Sequence, residues 1–384
     1  MKRPINPIRR AAVLLCGSAL LAFPGAAWTA GAVSFTPAEV RQILAHGPWP
    51  PAAAPDRSNR VSGNPDAIAL GERLFFSPRL SGTGGVLCAS CHEPWRAFTD
   101  GRPRGLGLTV VDRNTPTLMN VRFNRWFGWD GSNDSLWAQS IRPLLEPREM
   151  DSSAGRIGAL IRGDPFLSSA YEKAFGTKPP PNDEEVLAGV GKALAAYEET
   201  LTSGRTPFDD FRDAVAHGDA RAEARLPAAA QRGLRVFLGK GGCESCHSGP
   251  SLADGDFHDT GVVSARQNGE VDSGRRDGVQ KLLANRFNLL GPYNDDPSGA
   301  TAARTRLVSA GEGAARAFRT PGLRNVVLTA PYMHDGSVAT LCDAVRLHPA
   351  RKAPLLTAQE RNDLVAFLRT LTDAGPRLSD SSCR

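Results

Sequence analysis

Histidine is scarce in this chain, seven among 384 residues, and methionine scarcer still at four. Almost no stretch alternates apolar and polar residues with period two, which argues against a sandwich or barrel of strands. No uninterrupted apolar run follows the one from Ala11 to Phe23, itself too short to cross a bilayer comfortably, so no membrane span is expected. An excess of one charge is missing as well. The net charge of +6 belongs mostly to Lys2, Arg3, Arg9 and Arg10, and without the first thirty residues it falls to +2. A near-neutral chain with scattered charge gives no reason to expect nucleic acid as a partner.

The opening stretch joins a basic start, the apolar run and small residues from Ala30 to Ala32. That pattern reads as a signal peptide over 1–32 and places the mature protein in the periplasm.

Cysteine narrows the chemistry. Four of the seven fall in two identical CxxCH frames, Cys88–Cys91–His92 and Cys243–Cys246–His247. This spacing lets both thiols form thioethers to one haem while the adjacent histidine reaches the iron. Two such frames in an exported chain predict two covalent c-type haems, with His92 and His247 as iron ligands. A redox dithiol or half a zinc site would need a different context.

Helical signals surround both frames. Ile68, Leu70, Leu74 and Phe75 recur at helix spacing before the first, and AAAQRGLRVFL precedes the second. Asn182 with Glu185 opens a helix whose stripe runs Val186, Val190, Leu194, Tyr197, Leu201, and Thr357 with Glu360 opens another with Leu364, Leu368 and Leu371. With 39 glycines and 29 prolines between such segments, the expected class is all-α, helices with long loops around haems. The expected division is an N-terminal domain over 33–222 and a C-terminal domain over 223–384, one haem each. Residues 264–317 are polar and glycine-rich and read as a long loop.

An internal repeat gives the scarce histidines their meaning. Thr115–Leu136 lies over Thr320–Leu341 without a gap, identical at nine of 22 positions, at a constant offset of 205. Under that offset Trp129 answers to His334, and Pro143 to His348. If both of the latter face the distal side of their own haem, the first iron meets a group that cannot ligate and the second meets an imidazole. One haem is then open and one closed.

These residues resemble the bacterial di-haem cytochrome c peroxidases and their MauG-like relatives over nearly the whole mature chain. The likeness rests on both CxxCH frames, RAFTDGR (96–102), RNTPTLMN (113–120), WDG (129–131), QSIRPLLEPREM (139–150) and TAPYMHDG (329–336). It implies two cytochrome c-like helical domains with a calcium ion between the haems. Trp129 falls where the family carries an electron relay. Gln139 and Glu149 match the distal pair over the peroxidatic haem, with Glu149 as proton carrier, and Pro143 shares that pocket. Asn114, Thr329 and Pro331 match the calcium ligands. His334 is expected beside the cofactor, towards a propionate, and not on the iron. For the sixth ligand of the second haem, where the family carries methionine or tyrosine, His348 is favoured over Met333.

The resemblance implies an enzyme that reduces H₂O₂ with electrons from a small donor, a cytochrome c or cupredoxin. An alternative is a MauG/MbnH-like oxidase that modifies tryptophan or tyrosine side chains of a partner protein, and a third is a plain di-haem electron carrier. In many of the peroxidases a histidine in the loop after the first CxxCH blocks that iron, and this chain has none between His92 and His217, so the resemblance implies a first haem open at rest. His46 and His217 read as surface residues, and His258 as a residue lining the second pocket. Cys342 and Cys383 either pair or remain free.

Overall fold

The computed structural model describes residues 33–348 and 355–373, so the expected signal peptide and Cys383 lie outside the described residues. Cys342 is disulfide-bonded. Apart from one antiparallel pair, β1 (Phe257–His258) and β2 (Phe318–Arg319), and isolated bridges, the regular structure described is helical. The helices that matter below are α1 (Pro37–Ala45), α2 (Pro65–Phe75), α3 (Leu136–Leu145), α4 (Asp183–Glu198), α5 (Pro207–His217), α6 (Ala228–Leu238), α7 (Arg275–Ala284), α8 (Leu341–Leu347) and α9 (Ala358–Arg369).

Local chemistry sets their ends. Asn64 caps α2 by accepting from the amides of Asp66 and Ala67, with Pro65 at the first helical position, where no amide hydrogen is needed. Asn182 does the same for α4 through Glu184 and Glu185, and Thr357 with Glu360 closes a capping box on α9. The stripe expected on α4 is only part of what it buries: from Val186 to Glu198 every residue is covered, and the helix stops before Leu201. It is the central helix of its core.

The apolar side chains form two cores. One gathers α2, α3 and α4 around Phe75, Trp137 and Leu194, and the other gathers α1, α5, α6 and α9 around Phe208, Phe237 and Phe367. Each fully buried large side chain stabilises its core by about 1.5–3 kcal/mol. The two are built alike. A Cβ on Gly71 of α2 would strike the backbone of Ala193 in α4, and one on Gly233 of α6 would strike the backbone of Asp363 in α9. A glycine therefore sets the close helix crossing in both.

Residues 264–317 differ from the expected loop. They contain α7, and they send Phe287, Leu289 and Ala302 into the first core. Their polarity is spent locally: Asp296 accepts from Ser298 and Thr301, and Asn288 donates to the Leu282 carbonyl.

The repeat seen in the sequence is a repeat in space. Asn120 and Asn325 are both left-handed, at φ 64° and 61°, and each opens a 3-10 turn. The bridges Phe127–Asn133 and Tyr332–Val338 stand 205 residues apart. So do the caps Ser135 of α3 and Thr340 of α8.

Candidate haem sites

Each CxxCH frame forms a single helical turn, and the histidine amide donates back to the first cysteine's carbonyl at 2.9 Å in both. After His92 the chain folds through Pro94–Arg96 and enters two left-handed residues, Ala97 and Phe98, at φ 52° and 57°. This brings the Phe98 carbonyl to 3.0 Å from His92 Nδ1. After His247 the same device recurs: Leu252, at φ 52°, presents its carbonyl 3.1 Å from His247 Nδ1. A carbonyl only accepts, so Nδ1 carries the hydrogen and Nε2 keeps its lone pair for a metal. Burial lowers the pKa of both rings, that of His247 to about 4, so the lone pairs are free at neutral pH.

The donor set fits covalent haem and not a redox dithiol. Burial pushes the Cys91 thiol up to about 12 and the Cys243 thiol up to about 11, whereas a dithiol that exchanges disulfides needs a depressed value. Opposite His247, at the end of α8, stands His348. Their ring centroids are 6.1 Å apart. Two imidazoles holding one metal at about 2 Å each would have centroids about 6 Å apart.

At the position equivalent to His348 the first half has Pro143, inside α3 and without an amide hydrogen, and the helix ends two residues later. From the same helix Arg142 grips Glu149, Nη2 lying 2.8 and 2.9 Å from the two carboxylate oxygens. Burial pulls the Arg142 pKa down, but the Glu149 carboxylate outweighs it and the net shift is upward. Glu149 and Arg142 both lie within electrostatic reach of the His92 ring. Gln139 faces the neighbouring loop, its Oε1 accepting from Asn133 Nδ2 at 2.9 Å.

Between the halves runs a seam. Trp129 donates from Nε1 to the Asn114 carbonyl at 2.8 Å. The Asn114 amide donates to the His334 carbonyl at 2.9 Å, and its side-chain Nδ2 donates to the Arg102 carbonyl, which leaves Oδ1 for another partner. His334 is buried, stacked on Phe318 with centroids 3.5 Å apart, its Nε2 2.7 Å from Ser264 Oγ. Thr329 and Pro331 belong to the turn just before His334, and Met333, at φ 71°, lies in the same turn. Arg113 locks the seam with Asp130 and Asp272, both at 2.7 Å.

Two expectations need correction or refinement. His46 is not a surface residue: it is 1% exposed, set between Phe208 and Phe237, with Nδ1 3.2 Å from the Gly249 carbonyl. The loop-like HGPWPP sequence hid this, because the burial comes from α5 and α6. His217 does sit at the exposed end of α5. His258 pairs with Asp254 at 2.6 Å, and the two lie close to Cys246. Sequence reading missed Phe98, Leu252 and Arg142. Only Arg142 had a signal, as one of two cations, with Arg148, in the run that reaches Glu149.

Comparison with known proteins bears on the family and the fold. Residues 65–217 match the family model of the di-haem cytochrome c peroxidases. The chain is 36% identical over 321 residues to the methylamine utilization protein MauG of Methylorubrum extorquens, covering 80% of this chain and 78% of that protein. It is 30% identical to the cytochrome c551 peroxidase of Nitrosomonas europaea, covering 82% of each. Among solved structures, a MauG-like protein associated with microbial copper homeostasis superposes with a TM-score of 0.65 at 29% identity, over 87% of this chain and 99% of that one.

The chain belongs to the di-haem cytochrome c peroxidase family. Membership makes it an oxidoreductase of the class that acts on peroxide, and the family carries two c-type haems.

Proposed function

We propose that the protein reduces H₂O₂ to water at an open N-terminal haem, with the C-terminal haem closed by His247 and His348 and serving as the electron store. The observation that carries this is the 6.1 Å pairing of His247 with His348, set against Pro143 at the equivalent place in the first half. Cys88, Cys91 and His92 hold one haem, and Cys243, Cys246 and His247 the other, over domains 33–222 and 223–384. α1 and α5, although they precede residue 223, lie in the second core. Bound haem supplies an iron that takes up peroxide and exchanges electrons.

The protein's own part is to move protons and hold geometry. Glu149, oriented by Arg142, takes a proton from the incoming peroxide and returns it to the departing oxygen. Gln139 and Pro143 complete the pocket. Each turnover consumes two protons and two electrons per H₂O₂ and releases two waters. Trp129 stands in the seam as the relay, its indole fixed by the Asn114 carbonyl. Asn114 Oδ1 and the carbonyls of Thr329 and Pro331 are hard oxygen donors suited to Ca²⁺. His334 orients the cofactor from its place beside Ser264. The protein is exported to the periplasm, consistent with the lack of any helix among the described residues long and apolar enough to cross a membrane.

The electrons come from a cytochrome c or cupredoxin. A second reading, oxidation of a partner protein's side chains, is favoured by the similarity to MauG and by the lack of a histidine between His92 and His217. Steady-state peroxide consumption decides between them. Turnover that tracks added reduced cytochrome c or cupredoxin supports the first reading. Slow turnover with every donor, alongside a long-lived oxidised protein, supports the second.

A further inference from the structure

Among the described residues the few well-covered cations follow a rule with one exception. Arg324 is bound by Asp209 through both terminal nitrogens and Lys192 by Asp295, and the half-buried Arg113 is bound in the same way by Asp130 and Asp272. Arg275 has no carboxylate contact, but it lies between the faces of Trp126 and Phe257, 4.4 and 4.1 Å from their centres, and donates to the carbonyls of Asp130 and Gly131. Arg319 has neither. It is buried, it belongs to β2, and its guanidinium meets only neutral oxygens at long range: the Gly128 carbonyl at 3.3 Å, Asn124 Oδ1 at 3.3 Å and the Thr320 carbonyl at 3.4 Å. Burial alone acts on its pKa, lowering it to about 10, and no acid among the described residues offsets that.

A buried guanidinium with no counter-charge is strongly disfavoured. Its planar fork of donors matches a carboxylate. Its place in the fold says which carboxylate. The Arg319 amide donates to the Trp129 carbonyl at 2.8 Å, so the side chain starts in the seam between the two CxxCH halves, beside the residue proposed as relay. Each haem brings two propionates into a protein whose acids, among the described residues, leave this cation alone. Under the repeat, the first half has Asn114 where the second has Arg319, so the charge is present on one side only.

We propose that Arg319 is the counter-ion of a haem propionate in the seam, and that it raises the reduction potential of that haem relative to its partner. The inference rests on the haem assignment above, and its test reads potentials and not turnover. The holo-protein, R319Q and R319K are titrated potentiometrically while the absorption bands of each haem are followed, and haem content is measured in parallel. In R319Q, with two haems bound, the midpoint potential of one haem falls and becomes dependent on pH, because an unpaired propionate now takes up a proton. R319K keeps the charge and stays closer to the native potential. The band that moves identifies the haem that owns the propionate.

Two haems bound, with potentials and pH dependence unchanged in R319Q, would overturn the proposal while leaving the di-haem reading intact. A protein without two haems would overturn the haem assignment itself. If R319Q does not accumulate, the native protein decides: one haem must hold a pH-independent potential across the range where a free propionic acid titrates, and a pH slope at both haems refutes the pairing. A native potential that follows chloride concentration, with the dependence lost in R319K, would make the counter-ion a soluble anion and also refute it.

Discussion

The Asn114 amide donates to the His334 carbonyl at 2.9 Å, and the Arg319 amide donates to the Trp129 carbonyl at 2.8 Å. Asn114 and Arg319 are 205 residues apart, and so are Trp129 and His334, so one hydrogen bond is the image of the other. The duplicated halves grip each other by exchanging equivalent bonds. The side chains at those four places are all different. A symmetric backbone therefore carries an asymmetric set of groups, as the proposed division of labour between the haems requires.

His348→Ala removes the imidazole facing His247 and is expected to convert the second haem from low-spin to high-spin, read by absorption and EPR. Met333→Leu should leave the spectrum unchanged, since the 6.1 Å spacing belongs to His348. An unchanged spectrum in His348→Ala, with loss of the low-spin signal in Met333→Leu, would transfer the sixth ligand to methionine.

Glu149→Gln keeps the size of the side chain and abolishes its proton transfer. Peroxide reduction should slow by about 10²–10⁴-fold. Haem content should not change. An effect below tenfold would mean that another group, or water, carries the proton.

Arg324 ties α5 to the second CxxCH loop, binding Asp209 at 2.8 and 2.9 Å and the Pro250 carbonyl at 2.7 Å while stacking on Trp49. Arg324→Ala leaves Asp209 buried and unpaired, and should lower stability by about 3–5 kcal/mol. Denaturant unfolding measures it. A loss under about 1 kcal/mol would show that the pair is solvated.

Acid should weaken the protein through His334. Burial lowers its folded pKa to about 4, against an ordinary 6.5. Between these values the unfolded chain binds a proton that the folded one refuses, so stability is full above about pH 6.5 and falls as pH drops towards 4, by up to about 3 kcal/mol. Asp272, held low by hydrogen bonds and charge from Arg113 against the opposing effect of burial, extends the loss below pH 3.8. Urea midpoints measured across this range should decline for the native protein and decline less for His334→Gln.

The haem frames could be read from the sequence because thioether chemistry fixes their spacing, and the repeat because nine shared residues hold one backbone shape. The helix caps at Asn182 and Thr357 were equally plain, since capping is local. What could not be read depends either on unusual backbone conformations or on partners distant in sequence. The left-handed turns that aim the Phe98 and Leu252 carbonyls fall on bulky residues that ordinarily avoid that conformation. The burial of His46 is made by two phenylalanines more than 150 residues away. In α7 only Val279 and Leu282 are apolar side chains turned inward, too few to show a helical stripe.

The most direct test of the account is an EPR spectrum of the fully oxidised protein at rest. On the proposed assignment of Pro143 to one haem and His348 to the other, it should show one high-spin and one low-spin ferric haem in equal amounts. Two low-spin signals, with the high-spin form appearing only after addition of one electron, would contradict an open first haem.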